Sequence, residues 1–331
     1  MSAGTPKVTV LGAGAVGSHL AARLARSDLD VSVVARGPQL QAIQARGLRY
    51  IGVAGDFTVK MRATDNASEL GPQDLVIVAV KAHSLNAALP SLRPLLGPTT
   101  PVIYAVNGIP WWYFYKSGGP LDGHRLERLD PTGALWDEIG AERALACVIH
   151  SPNDLVEPGV VVNKAPSNNF KIGEPEIGRS DRIDRVAAIL SRGVPDVTIS
   201  PNVRADVWRK LLQNLGSSLV GCLTSSTAKQ ISQAPALASV FRAALEEGAR
   251  VAAALDEHIE PGVDAALVRM ATLDHRSSML QDLDNGRPME IDAQFTVVQE
   301  LSKLLEVRTP TLDTLISLLT ARARNAGLYV G

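Results

Sequence analysis

The chain has 331 residues, with 33 Lys and Arg against 34 Asp and Glu, a formal net charge of −1 and a pI near 6.6. So even a balance gives no electrostatic footprint for nucleic acid or an anionic membrane, and no apolar run approaches the ~20 residues of a membrane-spanning helix. The length predicts two domains, each large enough to bury its own core.

The first element pair is the most legible. Residues 7–24 read KVTVLGAGAVGSHLAARL. Val8, Val10 and Leu11 make an apolar run of buried-strand length, and Val16, Leu20 and Leu24 then recur at helical spacing. Between them lies Gly12-Ala13-Gly14-Ala15-Val16-Gly17. Strand, GxGxxG and helix, in that order, predict a dinucleotide-binding turn. Gly12 permits the tight turn, Gly14 lets a pyrophosphate approach the backbone, and Gly17 lets helix and strand pack closely. The free amides and positive end of the helix dipole then face the phosphates.

The second strand, Val31–Ala35, ends at Arg36, nineteen residues after Gly17. An NAD site places Asp or Glu about 20 residues on, to accept from the ribose 2′-hydroxyl. Arg36 cannot accept, but its guanidinium fork suits a 2′-phosphate, and the expected cofactor is NADP(H). A solvated surface arginine is the plainer alternative. Further strands are expected at Asp74–Val80, Pro101–Val106, Leu145–Ile149, Val160–Val162 and Val197–Ile199.

Residues 109–140 interrupt this alternation. They hold six of the fourteen aromatic residues amid dense turn punctuation. The segment reads as an insertion: either a self-packed surface loop, or a lid or subunit contact placed by Trp111 and Trp112 at a strand's carboxyl end. After Pro201-Asn202 long helical patterns take over. Val203, Val207, Trp208, Leu211, Leu212, Leu215 and Leu219 form one apolar stripe. The expected architecture is α/β: a Rossmann-like domain over 1–200, then an all-α domain over 201–331. The opening MSAGTPK lacks a signal peptide's apolar core. Cys147 and Cys222 stand far apart in apolar contexts, as expected of buried thiols in a reducing cytoplasm. No metal site is expected from the spacing of cysteines and histidines.

The order of motifs resembles the ketopantoate reductase (2-dehydropantoate 2-reductase) family. The likeness rests on GAGAVG at 12–17, Arg36, VKAH at 80–83, NG at 107–108, VWRKLLQN at 207–214, SSMLQD at 277–282 and GRPMEID at 286–292. It covers most of the chain outside 109–140. The resemblance implies an NADPH-dependent reductase of a 2-oxo acid, converting ketopantoate to pantoate in pantothenate biosynthesis. It implies a small-molecule substrate, no nucleic-acid or membrane partner, and a possible homodimer through the helical domain. Lys81 and Asn107 would line the nicotinamide end of the cofactor, and Lys210 would be the catalytic acid. Asn107, Asn214, Ser218, Ser278 and Glu290 would bind the substrate.

Those residue types suit carbonyl reduction. Negative charge builds on the carbonyl oxygen, and a nearby lysine can stabilise it and donate the proton, an effect worth roughly 10²–10⁴-fold. Taken without the family, Lys210 and Asn214 at i and i+4 also describe a solvated helix face, and Glu290-Ile291-Asp292 describes helix-start carboxylates. Three substrate-side positions depart from the family. Ser218 stands where a second Asn is usual, and Phe295 and Thr296 stand where an Asn-Gly pair is usual. Together with Trp111, Trp112 and Phe114, these changes predict a bulkier or more apolar 2-oxo acid than ketopantoate. A non-catalytic NADP(H)-binding redox sensor is the alternative from another class, disfavoured by the presence of both Lys210 and Glu290.

Overall fold

The computed structural model describes residues 4–163, 165, 167–274 and 276–329; residues 1–3 of the N-terminal stretch read above lie outside these. Two compact units emerge. One comprises Met1–Val106 with Trp111–Val203, the other Asn107–Pro110 with Arg204–Gly331.

The first unit holds strands β1 (Lys7–Leu11), β2 (Asp30–Val34), β3 (Leu48–Gly52), β4 (Gly55–Val59), β5 (Arg62–Thr64), β6 (Leu75–Val78), β7 (Val102–Tyr104), β8 (Ala144–His150), β9 (Asn153–Glu157), β10 (Val160–Asn163), β11 (Asn169–Gly173) and β12 (Val197–Ile199). Its helices are α1 (Ala15–Leu24), α2 (Gly37–Arg46), α3 (Leu85–Leu92) and α4 (Asp181–Ser191). The main sheet runs β12-β11-β8-β7-β6-β1-β2-β5. From β5 to β8 every pairing is parallel; β11 then runs antiparallel to β8, with β12 parallel to β11. Leu75–Val78 of β6 is buried at every residue, as a central parallel strand requires.

A second sheet, β4-β3-β10-β9, packs over α1. Of its strands the sequence predicts only β10, because β4 and β9 mix exposed and half-buried residues and β3 buries only Leu48 and Tyr50, so none has a continuous apolar run. β3 finds its parallel partner in β10, far along the chain.

The aromatic segment differs from the sequence expectation. Trp111, Trp112, Tyr113 and Phe114 are each at most 2% exposed. Trp111 meets Tyr104 of β7 and Trp136 edge-on, with ring centroids 5.6 and 6.2 Å away. The rings also pack on one another within the segment, Tyr113 on Phe114, Phe114 on His124 and Tyr115 on Trp136, so the segment packs on itself, and the buried Trp111, Trp112 and Phe114 do not offer the exposed apolar lid assigned to them. The Gly- and Pro-rich stretch that follows, residues 116–125 apart from half-buried Ser117 and Leu121, is exposed, as are Glu127, Arg128, Pro131, Thr132, Asp137 and Glu138.

The helical unit contains α5 (Val203–Thr224), α6 (Ala228–Gln233), α7 (Pro235–Ala253), α8 (Val263–Ala271), α9 (Ser278–Asp284), α10 (Val297–Leu304) and α11 (Pro310–Asn325). Every residue of the α5 stripe is buried. Helices α5 and α7 approach closely at small residues: a Cβ on Gly216 would lie 2.3 Å from Leu245 Cδ1, and one on Gly248 would lie 2.7 Å from Leu215 Cδ1. No helix among the described residues is long and apolar enough to cross a membrane.

Candidate active site

The glycine-rich turn has the shape its spacing demands. Gly12 donates to Val34 O at 3.0 Å and adopts φ +103°, where a Cβ would meet Val80 Cγ1 at 2.7 Å. A Cβ on Gly17 would lie 1.9 Å from Gly12 O, which fixes how closely α1 returns to the strand end. Gly14 is the N-cap of α1 with no side-chain cap, and nothing lies within 4 Å of where its Cβ would be. Two glycines are thus required by protein neighbours and the third opens onto space. The amides of Ala15 and Val16 have no partner within the helix, as at any uncapped N-terminus. That combination fits a dinucleotide pyrophosphate.

Beside the turn is a cavity of about 230 Å³, lined among others by Gly12, Ala13, Arg36, Gln39, Asp65 and Val80. Arg36 lies exposed at the end of β2, as the N-cap of α2. Gln39 ties the region together: its Nε2 donates to Ser18 Oγ at 3.1 Å, and its Oε1 accepts from Gly159 N at 2.9 Å. Ser18 Oγ in turn donates to Ala13 O at 3.0 Å, so the turn is braced from behind. Sequence reasoning missed Gln39 because a glutamine on a helix carries no motif. Lys81 is half-buried and opens the short turn Ala82–Ser84 after β6.

The helical unit holds the second half of the candidate set. The chain leaves β7 and reaches Asn107–Pro110, which clusters with the helices rather than the sheet. Lys210 Nζ on α5 donates to Asn107 Oδ1 at 2.6 Å. One turn on, Asn214 Nδ2 donates to Gln294 Oε1 at 2.9 Å. Gln294 lies in the widened π turn Asp292–Thr296 and is only 2% exposed. From the same turn Ala293 O accepts from Ile109 N at 2.7 Å. Gly108 has φ +92°, and a Cβ there would lie 2.1 Å from Ala293 O. The Asn-Gly pair therefore seats against the π turn, with Asn107 turned to Lys210. The structure brings Asn107, Lys210 and Asn214 together and adds Gln294, for which the sequence held no signal.

The remaining positions are distributed less tightly. Glu290 is a buried carboxylate two residues before the π turn, and Ser218 is buried one helical turn after Asn214. Phe295 is fully buried. Ser278 is exposed at the start of α9 and forms no hydrogen bond to the Asn107–Lys210 pair; its neighbour Ser277 caps that helix, accepting from Leu280 N at 3.2 Å.

Comparison with known proteins gives the family of the chain. The family description "Ketopantoate reductase PanE/ApbA" matches residues 8–111, and its C-terminal counterpart matches residues 202–323. A 2-dehydropantoate 2-reductase of Mesorhizobium japonicum is 39% identical over 98% of this chain and 99% of its own. One of Pyrococcus abyssi is 28% identical over 92% of this chain and 93% of its own. A crystal structure from Ralstonia solanacearum MolK2, classed with the ketopantoate reductases, superposes with a TM-score of 0.92 at 37% identity, covering 98% of this chain and all of that one. The chain belongs to the ketopantoate reductase family and is an oxidoreductase acting on a CH–OH/C=O group.

Proposed function

We propose that the chain reduces ketopantoate to pantoate with NADPH. The observation that carries this reading is the 2.6 Å hydrogen bond by which Asn107 holds the Lys210 ammonium. An ammonium held at a defined atom can receive the carbonyl oxygen, stabilise its growing charge and give up a proton. The dinucleotide, when bound, supplies the hydride. Asn214, fixed by Gln294, orients the substrate's polar groups, and the buried Glu290 carboxylate is suited to grip a substrate hydroxyl. Arg36 is suited to pair with the 2′-phosphate. The rings that argued for a bulkier substrate are buried within the chain, as is Phe295, which returns ketopantoate to first place.

Catalytic efficiency with NADPH on ketopantoate, compared with 2-oxo acids carrying larger aliphatic or aromatic groups, tests the substrate. Ketopantoate is expected to lead. A larger acid turned over more efficiently would reject it. Lys210→Ala is expected to lower kcat by ~10²–10⁴ with NADPH affinity nearly unchanged; near-native turnover would remove Lys210 from its role. We also take the chain to work in the cytoplasm as a homodimer, in keeping with its buried cysteines Cys147 and Cys222, which form no disulfide. Light scattering of the purified chain checks the dimer.

A further inference from the structure

The cavity beside the glycine-rich turn contains two charged side chains, and they have opposite signs. Arg36 leaves the carboxyl end of β2, and Asp65 leaves the carboxyl end of its parallel neighbour β5. The register Val33↔Ala63 and Val34↔Thr64, extended by Ala35 N donating to Thr64 O at 3.0 Å, sets Asp65 beside Ala35. Arg36 is the next residue. Both side chains are exposed and line the same cavity. Neither makes a side-chain hydrogen bond or ion pair with any described residue.

The other acid of this edge is committed elsewhere. Glu69 accepts from Thr64 Oγ1 at 3.2 Å and from Asn66 Nδ2 at 3.4 Å, and pairs with Arg62 at 3.5 Å. Asp65 is left as an uncommitted carboxylate in a pocket whose formal charge sums to zero. A 2′-phosphate entering it meets attraction from Arg36 and repulsion from Asp65. A free ribose hydroxyl meets a ready acceptor, the carboxylate function that an NAD site requires.

We propose that Asp65 is a cofactor-selectivity residue: it offsets Arg36, so that the cavity admits NADH as well as NADPH and discriminates between them only modestly. The inference rests on the reading of this cavity as the adenosine-ribose end of the cofactor site. It predicts a selectivity set by two opposed charges rather than by Arg36 alone. Because both groups are exposed, each contributes little singly and both contributions fade with salt.

The test is fluorescence titration of the full chain with NADPH and with NADH, at about 20 mM and about 200 mM salt. Asp65→Asn is expected to tighten NADPH and weaken NADH, raising the NADPH/NADH affinity ratio roughly three- to tenfold at low salt. That gain should shrink at high salt. Asp65→Ser provides a second variant with the same expected sign, and thermal midpoints check that both fold. An unchanged ratio, or weaker NADPH binding, would overturn the proposal; the latter would make Asp65 a support for Arg36. Arg36→Ala decides the underlying reading separately, since it should erase NADPH preference while Asp65→Asn raises it. If the native chain binds neither dinucleotide, both ideas fall.

Discussion

Asn214 and Gln294 meet through one hydrogen bond of 2.9 Å, and the direction of that bond decides what Asn214 can offer. With an amide N–H given to Gln294 Oε1, the Asn214 carbonyl oxygen and its second N–H are turned the other way. On the proposed function, Gln294 is a positioning residue that acts on substrate through Asn214. Leucine fills similar space without the acceptor, so Gln294→Leu should raise KM for the 2-oxo acid by roughly three- to tenfold, the worth of one hydrogen bond. The kcat should change less. Gln294→Glu keeps an acceptor oxygen and should recover most of the loss. If KM is native in the leucine variant, the side chain only packs. This residue also marks where sequence reading stops. Lys210 and Asn107 stand in recognisable motifs, whereas Gln294 becomes meaningful only when the π turn is folded beside α5.

At the scale of elements, helix α11 depends on a group outside itself. Glu247 on α7 is 5% exposed and accepts from Thr311 N at 3.1 Å and Leu312 N at 2.9 Å. Its carboxylate supplies the cap that Thr309 does not, at the end of the helix where the dipole favours negative charge. Glu247→Ala strands one buried and one half-buried amide and leaves a void, and should cost about 2–4 kcal/mol. Glu247→Gln retains one acceptor and should cost less. Urea midpoints of the two variants measure the difference, and equal midpoints would mean that a neutral acceptor recovers nothing and the cap acts through its charge. No sequence pattern links residues 247 and 311. The elements that were legible carry their signal locally: the three glycines between β1 and α1, the continuous apolar run of β6, the stripe of α5. The second sheet and the buried aromatic segment were not legible. β3 and β10 acquire their identity from long-range pairing, and the turn-forming residues around 116–125 masked the burial of the rings before them.

At the scale of the whole molecule, two units each with a core of their own have no need to lose stability at the same pH. The first contains His19 on α1, fully buried, with its ring 5.5 Å from both Tyr50 and Phe170. Burial, with the nearby Arg23 guanidinium, lowers its pKa from 6.5 to about 4, while Asn153 opposes the shift weakly. In the unfolded chain the same imidazole protonates near 6.5. Between that pH and about 4 the unfolded state binds the extra proton, so stability falls as pH falls through this window. At 1.36 kcal/mol per pKa unit the full loss is about 3 kcal/mol. In the helical unit the described histidine, His258, is exposed. Acidification should therefore weaken the first unit before the second. The tryptophans report on each separately, since Trp111, Trp112 and Trp136 belong to the first unit and Trp208 to the second. In a Trp208→Phe variant, the remaining fluorescence should show a urea midpoint that drops steeply from about pH 6.5 toward pH 4. Adding His19→Leu should flatten that drop. The same slope with and without His19 would place the acid sensitivity in other groups.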